Sequence, residues 1–421
     1  MTKDLLKKLN CLKYYFPETI LILIAILFTY KILNFEKNFI NYTYIENLIN
    51  YQGGFIRRGF LGSIAYFLYE TFDVNPKFFF IIIYYSLYIF LILIFMNLIN
   101  SLKKENYYLA ILITLSPATF LFLIFDNGAI FRKEIFFILI FFVHVIIAKQ
   151  VFDKSLSFIK YWKLNLFLIF PVLFLNILIH EFQFFLLFFH FLINLSIFNF
   201  SKKKPMVLKY FYLFLTVIFI LTIKAGNDNS VINIEKSLEV FIPNISSDYG
   251  PTDMLDGNIN LVIGSFLKMI ISSNYLEFFQ VFLMFSFSVL LFLFIFNKFI
   301  EKNKFNLNNF NHKNYILITL IFIISFIFII TAFDFGRLFH IITMHIIGFY
   351  LILPAKTLRF NVKTFSEKFL IPFSIFAYFL FFSMPAAHIL MGKGSMYLNY
   401  GSGVINYFIQ NFEPFIQRIL L

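Results

Sequence analysis

The chain has 421 residues, of which 60% are hydrophobic, 22% aromatic and 14% charged, and its formal net charge is +13. Such a composition excludes an ordinary soluble domain, and the single cysteine, Cys11, excludes a disulfide framework or a cysteine-based metal site. The basic residues are spread over short segments between apolar runs, so the charge reads as membrane topology and not as a nucleic-acid surface.

Apolar runs of about 18 residues or more recur from end to end, the length that crosses a bilayer as a helix. The runs are continuous and not alternating, which favours helices over a barrel. The expected fold class is therefore all-α: a polytopic integral membrane helical bundle, with residues 1–421 as one transmembrane domain. About eleven transmembrane helices are expected on this criterion. They fall near 18–35, 78–100, 107–125, 134–149, 164–180, 182–199, 207–224, 276–297, 315–333, 338–354 and 369–385. The first run, Ile20 to Leu33, has no small-residue cleavage site after it and reads as a retained span.

Between the spans, residues 34–77 form an outer loop in which Phe60 to Phe72 reads as an amphipathic interfacial helix. Residues 225–260 make the largest outer loop after it, and residues 386–421 an outer C-terminal tail. The long apolar stretch from Leu164 to Phe198 has lysines at both flanks, so it needs an even number of crossings. Its break is expected at His180-Glu181, the charged pair in its middle.

The lysines sort the loops into two sets. Those around Lys3–Lys13, Lys103-Lys104, Lys149–Lys163, Lys202–Lys209, Lys298–Lys313 and Lys356–Lys368 belong on the cytoplasmic side by the positive-inside rule. The amino terminus is then inside, the carboxyl terminus outside, and the expected location is a bacterial inner membrane.

Only six of the 35 basic residues are arginine, and five of them, Arg57, Arg58, Arg132, Arg337 and Arg418, fall on the outer side. Topology gives no reason for cations there, whereas an anionic ligand does. Arg57 and Arg58 sit in a glycine-framed turn with Gly54 and Gly59; Arg132, Lys133 and Glu134 start a span; His180-Glu181 marks the mid-stretch turn; and Asp334 and Arg337 bracket a tight turn. Each cluster also has a structural reading: contact with lipid headgroups, a snorkelling helix flank, a local ion pair, or a pair buried between helices. His144, His190, His340 and His345 read as satisfied core residues. Asn176 and Asn194 read as hydrogen-bonding groups between helices.

Together the clusters describe a pocket for a phosphate or diphosphate at the outer membrane surface. The guanidinium fork suits that group, and charge building on a phosphate leaving group would be stabilised there. His180 or Glu181 would accept the proton of an attacking hydroxyl. A lipid-linked sugar fits, with its tail in the bundle and its phosphate at the arginines. No cofactor is needed and no metal is expected.

The order GGFIRRGFLG, FRKE, IHE and DFGR over many short-looped spans resembles Wzy-type O-antigen polymerases of bacterial surface-polysaccharide loci and the wider GT-C group of lipid-dependent glycosyltransferases. The resemblance implies a GT-C-like fold. It also implies metal-independent glycan transfer from undecaprenyl diphosphate at the periplasmic face, with Arg57, Arg58, Arg132 and Arg337 holding the diphosphate. Its implied partners are the polyprenyl-linked sugar donor, a glycan acceptor, the lipid bilayer and polysaccharide-assembly proteins, and no nucleic acid. A metal-using GT-C branch carries acidic pairs in the first outer loop; here Glu36 and Glu46 stand apart. The competing expectations are a transporter or flippase of lipid-linked glycan and an acyltransferase of envelope sugars.

Overall fold

A computed structural model describes residues 3–33, 42–116, 119–120, 131–203, 206–223, 228–242, 335–352, 383–385 and 397–399. In chain order the elements are α1 (Lys3–Leu33), α2 (Tyr42–Leu48), α3 (Phe60–Phe72), α4 (Pro76–Lys103), α5 (Tyr107–Leu115) and α6 (Glu134–Phe152). They continue with α7 (Phe158–Ile179), α8 (Gln183–Phe200), α9 (Met206–Ile223), α10 (Asp228–Leu238) and α11 (Phe335–Leu351). Strands β1 (Ser383–Pro385) and β2 (Tyr397–Asn399) pair antiparallel, Met384 opposite Leu398.

Among the described residues, five helices are long and apolar enough to cross a membrane: Tyr15–Leu33, α4, α6, α7 and α8. By length and composition this is a helical membrane protein. The apolar stretches Val207–Thr222 and His340–Phe349 are shorter and occupy the spans expected at 207–224 and 338–354. The spans expected at 276–297 and 315–333 lie outside the described residues. So does that at 369–385, except for its last three residues, which form β1. The span expected over 107–125 is interrupted, because α5 stops at Leu115 and Ser116 is extended. Pro117 follows, and the residue before proline is pushed out of the helical region.

Local chemistry sets the helix ends that matter. Asn75 caps α4 by accepting from the Lys77 amide at 2.9 Å, with Pro76 at the first helical position. Asp73 closes α3 in the left-handed region at φ 55°. The chain breaks at His180-Glu181 as the lysine flanks required: α7 ends at Ile179, His180 is extended, and α8 starts at Gln183. Within α7, residues Asn165–Ile169 form one π turn just ahead of Pro171. Proline has no amide hydrogen and clashes with the carbonyl four residues back, so widening that turn lets the span continue through it.

The central helix is α6, which packs against α4, α7, α8 and α11. The lysine-bearing turns after α4, α6 and α8 gather at one end of the bundle, and residues 49–59, 73–75, 132–133 and 180–182 at the other. At the lysine end, Lys103 is buried, ion-paired with Glu18 and 4.9 Å from the Tyr15 ring centroid, which ties α4 to α1. Helix α3 has the range expected for the amphipathic helix and lies on α2, with Phe67 and Phe72 exposed. In the loop at 225–260, α10 docks near it: Asn50 Nδ2 donates to Ser237 Oγ at 2.9 Å, and Phe241 meets the rings of Tyr66 and Tyr69.

Candidate functional site

The site lies at the end of the bundle opposite the lysine turns, where α2, the turn at 49–59, the start of α6 and the α7–α8 turn meet. Asn47 welds two of these pieces together and fastens them to α4. It accepts from the Tyr84 hydroxyl at 2.6 Å and donates to the Phe131 carbonyl at 2.7 Å. That contact brings the start of α6 against α2 and so places Lys133 beside Glu46.

The glycines of the double-arginine turn serve the chain's own folding. Gly54 adopts φ 102°, a left-handed conformation natural only to glycine. A Cβ on Gly59 would collide with the Tyr51 ring, and one on Gly62 with the Ile49 carbonyl. These close approaches seat α3 on the end of α2. The turn is fixed further by Ser63, whose hydroxyl accepts from the Tyr51 amide at 2.8 Å and donates to the Gly59 carbonyl at 2.7 Å.

Arg58 is the centre of the site. Its backbone is left-handed at φ 66°, which costs a residue with a Cβ about 1–2 kcal/mol. The conformation turns the side chain inward. Nε lies 3.0 Å from both oxygens of Glu181, Nη2 2.5 Å from Glu181 Oε1, and Nη1 2.8 Å from Glu46 Oε1. The guanidinium thus joins α2 to the α7–α8 turn, whose Glu181 lies 123 residues beyond Arg58. Lys133 supports it from below: its buried Nζ donates to the carbonyls of Glu46 at 3.0 Å and Arg58 at 3.4 Å.

His180 completes the group. Its Nδ1 accepts from the Phe182 amide at 3.1 Å, so a neutral ring carries its hydrogen on Nε2, which faces Glu46 Oε1 at 3.7 Å. Through this amide bond the side chain also caps the start of α8.

The electrostatics follow from burial and this pairing. Burial works to raise the Glu181 carboxyl, but Arg58, His180 and Arg57 outweigh it and hold it well below the usual carboxylate range. Burial, helped by Arg58, pulls His180 down to about 4 against the pull of Glu181, Glu46 and Glu134. Burial pulls Lys133 down to about 8, with Glu46 and the other carboxylates opposing it. At neutral pH, Glu181 is an anion clamped by a cation and His180 is an uncharged capping group.

Of the residues expected to form a site, Arg58, His180 and Glu181 are in direct contact. Arg57 is half-buried in the same turn and Glu134 heads α6, both close enough to act on the charges of the group. Arg132 is buried immediately before Lys133. Arg337 lies in the first turn of α11 and not in a tight turn between spans. Helix α11 runs parallel to α6, since His345 stacks on Phe141 and the Leu351 carbonyl accepts from Lys149. The first turn of α11 is thereby at the site end, but the Arg337 side chain, like Asp334, lies outside the described residues.

Two members of the group were named from sequence without being given a part in the site. Glu46 is an acidic residue in an otherwise apolar and amide segment, and Lys133 stands between Arg132 and Glu134. A carboxylate in such a segment is the only local signal for Glu46, and nothing local says that Arg58 turns toward it. Among the described residues, no group of three or more His, Cys, Asp or Glu side chains is arranged to hold a metal ion.

A second polar cluster lies deeper in the bundle. His144 Nδ1 and His190 Nδ1 are 3.0 Å apart, and His144 Nε2 is 2.9 Å from the Tyr161 hydroxyl. Tyr161 donates to Asn194 Oδ1 at 2.8 Å, and Asn194 Nδ2 donates to the His190 carbonyl and the Tyr212 hydroxyl. Asn176 donates to the Phe136 carbonyl and to Gln183. Asn176 and Asn194 hydrogen-bond between helices as expected, whereas the core histidines are only partly satisfied, since Nε2 of His190 and of His345 is buried with no hydrogen-bond partner among the described residues.

The fold and this site define a class: a helical membrane protein with a buried ionic cluster at one end of its bundle. Compared with known proteins, the chain matches no family, no curated protein and no solved structure.

Proposed function

We propose that this chain is a membrane glycosyltransferase or oligosaccharide polymerase of GT-C-like, Wzy-type character. It takes sugar from a polyprenyl-diphosphate donor at the periplasmic face of a bacterial inner membrane. One observation carries the reading: segments far apart in sequence bring Arg57, Arg58, Arg132 and Lys133 together with Glu46, Glu134 and Glu181 at one end of the bundle. Among the described residues of the group the cations outnumber the carboxylates, which favours an anionic ligand. Buried ionisable groups at such a place are costly and are retained for a task more often than for stability. In this reading the diphosphate sits at the arginines, its lipid tail lies along the apolar helices, and Arg337 contributes from the first turn of α11. The acceptor hydroxyl attacks the sugar while Glu181 takes its proton. His180 fixes the turn that carries Glu181, because its Nδ1 is already occupied by the Phe182 amide.

The test is transfer from an undecaprenyl-diphosphate-linked glycan in proteoliposomes. Arg57→Lys and Arg58→Lys are expected to lower turnover by about a hundredfold or more, the scale for losing one oriented charge at a leaving group. Unchanged turnover in both variants would sink the assignment. Cysteine labelling of a Cys11→Ser protein checks the side of the membrane, and labelling of residue 57 from the cytoplasm alone would do the same.

A second reading, a flippase of lipid-linked glycan, is favoured by the buried cluster of His144, His190, Tyr161 and Asn194 within the bundle. It predicts movement of a labelled lipid-linked glycan between leaflets without any change in glycan length.

A further inference from the structure

We propose that the diphosphate ligand and the Glu181 carboxylate compete for the same edge of Arg58, so that donor binding itself frees Glu181 to act as the base. This rests on the diphosphate reading of the site and adds a switch to it.

The geometry supplies the argument. A guanidinium grips phosphate best through a pair of parallel N–H groups. In Arg58 the Nε and Nη2 pair is taken by Glu181, and Nη1 by Glu46. An incoming phosphate can take the Nε and Nη2 edge of Arg58 only by displacing Glu181. The arginine itself is poorly placed to move away, since its left-handed backbone is held by Lys133 on its carbonyl and by the seating of α3 on Ile49. Glu46 lies on α2, with its own carbonyl held by Lys133. Glu181 stands in the short turn between α7 and α8, and rotation of its side chain alone releases Arg58.

Release changes what Glu181 can do. While clamped, it is a stable anion with little appetite for a proton. Without Arg58, burial is the first influence left on it, and burial favours the protonated form. Among the described residues, His180, Arg57, Lys133, Glu46 and Glu134 are the other charged or titratable groups of this cluster. The step then balances. The acceptor hydroxyl gives its proton to Glu181, and its oxygen bonds to the anomeric carbon of the donor sugar. The bond from that carbon to the phosphate oxygen breaks, and its electron pair leaves with the lipid diphosphate, held by Arg58 and Arg57. Glycosyl transfer is thereby coupled to occupancy of the diphosphate site, and an empty site holds no active base.

The experiment is calorimetric titration of inorganic pyrophosphate into the full-length protein in nanodiscs, wild type against Glu181→Gln. An amide competes poorly for a guanidinium, so Glu181→Gln is expected to bind pyrophosphate about tenfold or more tightly while losing turnover. Infrared difference spectra of the wild type, which need no variant to fold, are expected to show a carboxylate band perturbed as pyrophosphate binds. Equal affinity in the two proteins, or binding with no carboxylate change, overturns the competition and leaves the anion site standing. Failure of both proteins to bind pyrophosphate overturns the anion site itself. Farnesyl diphosphate, run in parallel, separates a lipid-borne ligand from a soluble one. Tighter binding than pyrophosphate supports the lipid-linked donor, and equal binding counts against it.

Discussion

Glu134 opens α6 beside an arginine, a lysine and two further carboxylates; ten residues on, His144 of the same helix touches only an imidazole and a phenol in its hydrogen bonds. The two positions are about 15 Å apart along the helix. Near the helix end, full charges are paired, and each of the three guanidinium nitrogens of Arg58 is hydrogen-bonded to a carboxylate. In the middle, hydrogen bonds run between uncharged donors and acceptors on α6, α7, α8 and α9. Apolar surroundings penalise an unpaired charge far more than an unpaired amide. The deep cluster therefore orients helices, while the end cluster keeps ions that packing alone does not require.

Removing ions should break that contrast most severely. Arg58→Ala leaves Glu46 and Glu181 buried without their shared cation, and a loss of about 3–5 kcal/mol is expected, measured by thermal unfolding in detergent. An unchanged midpoint would mean that the carboxylates are solvated and that the contrast is false.

Acid should act on the ionic end next. The folded-state value of His180 is depressed to about 4 from an ordinary 6.5. Between these values the unfolded chain binds the proton and the folded one does not, so stability is full above about pH 6.5 and falls as the pH drops toward 4. The whole window amounts to roughly 3 kcal/mol at most. His180→Asn keeps an acceptor for the Phe182 amide and is expected to flatten this part of the profile. Glu181 acts further down: its folded value is also depressed, so its contribution is present above its unfolded value near pH 4.3 and disappears only in stronger acid. A wild-type curve that is flat between pH 6.5 and 4 would show that His180 is not buried as an uncharged cap.

The smallest effect belongs to the deep cluster. Asn194→Leu removes bonds to Tyr161, Tyr212 and the His190 carbonyl. Hydrogen bonds between membrane helices contribute about 0.6 kcal/mol each and rarely above about 1.7, so a modest drop in melting temperature is expected, with turnover and pyrophosphate binding unchanged. Loss of pyrophosphate binding in this variant would join the two regions that the structure separates.

Much of the fold was legible because membrane helices announce themselves through apolar length. The break at His180-Glu181 was legible too, since lysines at both flanks demanded a return. Helix α3 could be placed at Phe60–Phe72 from its amphipathic pattern. Apolar length was a poorer guide where proline intervened: the run over 107–125 holds only the short α5 before Ser116, whereas α7 passes Pro171 by widening one turn. A run of hydrophobic residues records burial, not which backbone groups lose their partners.

The candidate site was legible as a list of charged residues and not as an arrangement. Sequence alone determined that Arg57, Arg58, Arg132, His180 and Glu181 stand at helix ends, because charged side chains are expelled from the apolar runs between them. It also determined the alternation that carries those ends to one side. Only the tertiary structure decided that Arg58 turns inward to Glu181 and Glu46, that Lys133 fastens the turn, and that His180 serves as a cap. Those choices depend on a left-handed backbone at Arg58 and on contacts 75 to 123 residues apart in the chain. Local pattern fixes where a charge can sit; which partner it meets is settled by packing between segments that the sequence keeps far apart.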